Sequence, residues 1–71
     1  MPKKDAVTRR DIAEMIGETS HIEILKYTVE TGSKSRLPLL RQIAIRLDRS
    51  VRVASTIMGT YWYVMINDIG E

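Results

Sequence analysis

Ser50-Val51-Arg52-Val53-Ala54-Ser55-Thr56-Ile57-Met58-Gly59-Thr60-Tyr61-Trp62-Tyr63-Val64-Met65-Ile66-Asn67 is the stretch whose reading decides the fold. Wound as a helix capped by Ser50, it carries a narrow polar stripe of Arg52, Ser55, Thr56, Gly59, Thr60, Tyr63 and Asn67. Val53, Ala54, Ile57, Met58, Tyr61, Trp62, Val64 and Met65 then cover the rest of the cylinder, so such a helix must be largely buried. The same residues are also rich in strand formers: Val51-Arg52-Val53 alternates, and residues 60–66 are β-branched and aromatic behind Gly59. That pattern reads as a hairpin turning near Met58-Gly59. The clean separation of polar from apolar in the helical projection favours the helix.

Upstream, Thr8 is a good N-cap with Asp11 in the first turn, and Ile12, Ala13, Met15 and Ile16 form an apolar stripe before Gly17. This predicts a first helix over residues 9–16. Thr19 or Ser20 can cap a second over 20–31, in which Ile22, Leu25 and Val29 recur at helical spacing and Gly32 is the stop. A third helix starts at Ser35 with Pro38 in its first turn. Leu37, Leu39, Leu40, Ile43, Ala44 and Leu47 share its inner half. Arg41, Gln42, Arg46 and Arg49 share the outer half, with Ile45 an apolar exception among them. The expected architecture is therefore all-α: a small four-helix domain over residues 8–71 behind a flexible basic arm at 1–7. The alternative is three helices and a C-terminal β-hairpin, in the manner of a winged helix.

Seventy-one residues without cysteine bury only roughly 60% of the unfolded chain's surface and have no disulfide or thiolate-metal staple. Helix packing or self-association must supply the stability. The most apolar stretch falls short of the ~20 residues a bilayer helix needs and contains Ser55, Thr56, Gly59 and Thr60, so no membrane partner is expected. With no secretory signal at the start, the expected compartment is the cytoplasm. Charge is segregated. Residues 11–32 carry a balance of −4, whereas residues 33–52 carry +5 through Lys34, Arg36, Arg41, Arg46, Arg49 and Arg52 against Asp48. A basic cluster of this kind attracts polyanions.

Two segments repeat a local pattern 31 residues apart: Ile12-Ala13 with Ile16 and Thr19, and Ile43-Ala44 with Leu47 and Ser50. In the second, Ala54 and Ile57 continue the inner positions of a following helix. Residues 42–58 thereby resemble the helix-turn-helix superfamily of small phage and plasmid DNA-binding regulators, although Asp48 and Arg49 stand where that family has a turn glycine and an aliphatic residue. The resemblance implies that Arg52, Ser55 and Thr56 meet base edges, that Ser50 opens the recognition helix, and that Lys34, Arg36, Arg41, Arg46 and Arg49 hold the phosphate backbone. Six phosphate contacts imply a log–log salt slope of about −5. In the N-terminal arm, Lys3, Lys4, Arg9 and Arg10 extend the basic surface or serve solubility alone.

No catalytic constellation is present. His21 is the only histidine, and with no cysteine a zinc site is not expected; nor does any triad order or Gly-rich phosphate loop occur. The expectation is a non-enzymatic protein with no cofactor. Ile57, Met58, Tyr61, Trp62 and Met65 belong to residue types enriched at association surfaces, so a homodimer through the C-terminal element is expected. The leading functional expectation is a transcriptional regulator binding double-stranded DNA as a homodimer. The alternative is a protein-interaction module, a phage-type inhibitor or adaptor docking on a host protein through the surface of residues 61–65.

Overall fold

A computed structural model of the chain describes residues 7–17 and 21–70. The described elements run α1 (Arg9–Ile16), β1 (Ile22–Ile24), β2 (Thr28–Thr31), a 3-10 turn (Lys34–Arg36), α2 (Leu37–Leu47), β3 (Val51–Thr56) and β4 (Gly59–Met65). The four strands form one antiparallel sheet in the order β1-β2-β4-β3. The architecture is α+β, which overturns the all-α four-helix expectation.

The first helix forms where its local signals place it. Thr8 Oγ1 accepts the Asp11 N–H at 3.0 Å while Asp11 Oδ2 accepts the Thr8 N–H at 3.1 Å, a reciprocal capping box. At the other end Gly17 takes φ 70°, and its N–H donates to the Ala13 carbonyl. The expected second helix does not form. Residues 22–31 make a hairpin in which Ile22, Val29 and Thr31 are buried and Glu23 points away. Strand geometry wins because Ile22, Val29 and Thr31 are β-branched and fall on one face at a period of two once the chain turns between Ile24 and Thr28. The Leu25 N–H donates to the Thr28 carbonyl at 2.8 Å to close that turn. The cap assigned to Thr19 or Ser20 and the basic residues Lys3 and Lys4 lie outside the described residues.

The third helix is present but starts later. Ser35 is inside the 3-10 turn rather than capping, and α2 begins at Leu37 with Pro38 in its first turn. Leu40, Ile43 and Ala44 are buried beneath it, flanked by Leu37, Leu39 and Leu47. Its end is a Schellman-type closure. Asp48 is left-handed (φ 56°, ψ 47°) and donates to the Ile45 carbonyl, and the Arg49 N–H donates to the Ala44 carbonyl at 2.8 Å.

Residues 51–65 are then strands, so the expected fourth helix and the helix-turn-helix pair over residues 42–58 are absent. The hairpin weighed as the alternative for this stretch is what forms, turning at Ile57-Met58 with the positive φ taken by Gly59 (130°). The physical reason is burial. A helix apolar on most of its circumference needs a wall on every side, which a chain of this size cannot build, whereas a sheet needs cover on one face only. Val64, Val29 and Ile22 meet Ile12, Leu40 and Ile43 in a single core, with Val51 and Trp62 packed against it. Each fully buried aliphatic side chain contributes ~1.5–3 kcal/mol. Residues 66–70 strap across the first hairpin. The Ile66 N–H reaches the Tyr27 carbonyl, the Ile69 N–H the Lys26 carbonyl, and Gly70 pairs with Val7 and Arg9.

Candidate nucleic-acid interface and open sheet face

Both helices cover one face of the sheet, and the molecule therefore presents two chemically different sides. On the helical side, α2 turns Arg41, Gln42, Ile45 and Arg46 to solvent; Ile45 is 74% exposed. At about 100° per residue these four fall on one stripe, with Ile45 near its middle. No acidic residue interrupts α2. Lys34 and Arg36 precede it on the 3-10 turn, and Arg9 and Arg10 open the neighbouring α1. Within α1, the 3-10 turn and α2 these six cations face only Asp11 and Glu14, and Asp11 is engaged in the capping box. Among the described residues Lys34, Arg36, Arg41 and Arg46 form no ion pair.

The other expected contacts separate from this group. Strand parity puts Arg52 on the helix-free face of the sheet, because its neighbours Val51 and Val53 share the inner parity of Val64 and Trp62. Ser50 and Arg49 lie at the junction, where with Asp48, Arg52 and Met65 they line a shallow depression of about 250 Å³. That is smaller than the ~300–1,000 Å³ of ordinary ligand pockets. Ser55 and Thr56 stand near the hairpin tip. The Thr56 hydroxyl is used there, accepting the Met58 N–H at 3.1 Å and donating to the Gly59 carbonyl at 3.0 Å, and Ser55 Oγ lies 3.5 Å from Thr60 Oγ1. The basic cluster is thus divided: Lys34, Arg36, Arg41 and Arg46 on the helical side, and Arg52 behind.

The residues expected at an association surface divide likewise. Trp62 faces inward and packs against the core. Tyr61 and Met65 lie on the open face beside Tyr63, whose ring centroid is 5.7 Å from that of Tyr61. Ile57 and Met58 occupy the tip of the β3–β4 hairpin, at 104% and 95% exposure. β2 pairs with β4 only as far as Trp62, so Ala54–Thr56 and Gly59–Tyr61 project past the body as an arm. Sequence reasoning passed over Glu23, Glu30 and Tyr63 as partners of Arg52, because only strand register brings them into one row. Gln42 was assigned to the outer half of its helix without a role.

His21 is exposed. Among the described residues no group of three His, Asp or Glu side chains is placed to hold a metal ion. No helix among them is long and apolar enough to cross a membrane. The chain matches no family model, no curated protein and no solved structure.

Proposed function

We propose that this chain is a non-enzymatic, regulatory DNA-binding protein that lays α2 along the major groove of a duplex. The observation that carries the reading is the exposed stripe of α2. Arg41, Gln42, Ile45 and Arg46 stand together on a helix without an acidic residue, in a layer dominated by cations. These side chains match the groove's chemistry: arginine addresses guanine O6 and N7, glutamine addresses adenine N6 and N7, and an apolar group meets the thymine methyl. An exposed isoleucine among arginines has no folding role; against a thymine methyl it has a binding one. The major groove is about 12 Å wide and admits a helix of this diameter. Lys34 and Arg36, just before α2, are within the same layer and suit phosphate contacts, whose role is to fix register rather than to read sequence.

The assignment differs from the helix-turn-helix expectation in its parts. Arg52, Ser55 and Thr56 leave the base-reading set, Arg41 and Arg46 move into it from the backbone-holding set, and Gln42 and Ile45 are new to it. With Lys34 and Arg36 neutralising phosphates, the log–log salt slope becomes about −1.8. Titrating a mixed-sequence duplex at several salt concentrations tests the reading: binding that weakens as salt rises is expected, and binding that ignores salt, or none at low salt, overturns it.

A second reading, a protein-interaction module, is favoured by one observation, the apolar tip Ile57-Met58 on a projecting arm. Such a tip suits a pocket on another protein. Replacing both residues by serine abolishes partner capture under this reading and leaves duplex binding through α2 untouched under the first.

A further inference from the structure

We infer that the helix-free face of the sheet is a homodimer interface, on which two copies stack face to face about a two-fold axis parallel to the strands. The argument begins with register. Glu23 pairs with Glu30, Glu30 with Tyr63, and Tyr63 with Arg52, so these four side chains form one row across β1, β2, β4 and β3. Its order is acid, acid, phenol, guanidinium.

Within a single copy this row is unfavourable. Two carboxylates directly opposite on one face repel, and among the described residues neither Glu23 nor Glu30 forms an ion pair. Arg52 is two strands from Glu30 and three from Glu23, roughly 10 and 14 Å at ordinary strand spacing. Tyr63 stands between them. The row becomes complementary when a second copy is laid on it the right way round. Rotation about an axis parallel to the strands, in the plane between the sheets, reverses the strand order and preserves height along the strands. Glu23 then faces Arg52 of the second copy, and Glu30 faces its Tyr63 hydroxyl; the two-fold repeats both contacts. An axis perpendicular to the strands in that plane instead sets carboxylates on carboxylates. Charge therefore selects one of the two arrangements, and the contact is self-complementary as a two-fold interface requires.

The rest of the face suits the same occupant. Tyr63 and Met65 lie within it and Tyr61 continues it onto the arm, and Tyr, Met and Arg are the types enriched in interface cores. Four strands of three, four, seven and six residues, about 4.8 Å apart and rising about 3.4 Å per residue, give a face of roughly 330 Å². Two such faces make about 650 Å², well below the ~1,200 Å² of standard stable interfaces. The dimer is accordingly a weak, transient one, with a Kd on the order of 100 µM. Stacked this way, both helical layers lie on the outside and both α2 stripes point away from each other. If α2 binds duplex DNA, the dimer bridges two segments and does not straddle a palindrome. The dimer itself does not depend on that reading.

Charge exchange followed by sedimentation velocity tests the proposal without any DNA. The parent chain is expected to dimerise reversibly. Glu23→Arg and Arg52→Glu each turn two attractions per dimer into repulsions, and each alone is expected to weaken association ~100-fold. Mixing the two single variants restores a heterodimer, and the double variant E23R/R52E restores a homodimer, which shows that the single variants were folded. Three results overturn the proposal: a parent chain that stays monomeric at about 500 µM, where a Kd on the order of 100 µM leaves most of it dimeric; a dimer indifferent to either single charge reversal; or single variants rescued neither by mixing nor by the double exchange.

Discussion

The two faces of the sheet are built from alternate residues of the same strands, yet they are subject to different demands. On the covered face, Ile22, Val29, Thr31 and Val64 are buried against α1 and α2, and the one polar member, Thr31, is satisfied by Ser33 through its backbone N–H and carbonyl. On the open face, Glu23, Glu30, Tyr63 and Arg52 form a row that includes a like-charge neighbour pair and half-exposed aromatics. Folding accounts for these buried residues by shape, apolarity and satisfied hydrogen bonds, while Val53 at the far end of the same face is 60% exposed. On the second, the Glu23–Glu30 pairing costs a little stability within the monomer, and the proposed dimer supplies the compensating contacts.

Four variants probe this contrast, each followed by denaturant unfolding at a dilution where the chain is monomeric. Leu40→Ala removes the side chain at the centre of the cover, fully buried on α2. A loss of ~2–5 kcal/mol is expected, enough to unfold much of a domain this small. Tyr63→Ala on the open face should cost only about 1 kcal/mol, the scale of its pairing with Tyr61. Glu23→Thr is expected to raise stability by about 0.2–1 kcal/mol by relieving the repulsion across β1 and β2; a clear loss would mean that Glu23 has a favourable partner within its own chain. The smallest effect belongs to the arm. Ile57→Ser with Met58→Ser should shift stability by no more than about 0.5 kcal/mol, because both side chains are fully exposed.

What the sequence disclosed follows the range of the forces involved. The first helix was legible because its cap and stop are local: Thr8, Asp11 and Gly17 fix it within ten residues. The inner and outer sides of α2 were legible because its apolar period is long and unbroken. The strands were not. Ile22, Leu25 and Val29 satisfy a helical period as well as Ile22, Ile24, Val29 and Thr31 satisfy a strand period across a turn, and only pairing with β4 decides between them. In β4 the alternation is hidden because both parities are apolar or aromatic. Trp62, Val64 and Ile66 face the core while Tyr61, Tyr63 and Met65 face outward, so the run imitates a buried helix. The arginines were legible as a cluster in sequence but not as a surface. The five residues between α2 and Val53 are enough to carry Arg52 to the opposite side of the sheet from Arg46.

The division of cations between the two faces is the claim on which the functional reading rests, and the salt dependence of duplex affinity measures it most directly. The log–log slope is compared for the parent chain, Lys34→Ala/Arg36→Ala and Arg52→Ala. Loss of two phosphate-neutralising groups should reduce the slope's magnitude by about 1.8 in the double variant, with a parallel drop in affinity, and leave Arg52→Ala at the parent value. A double variant that binds as the parent does, with Arg52→Ala carrying the loss, would contradict the account and move the nucleic-acid surface to the other side of the sheet.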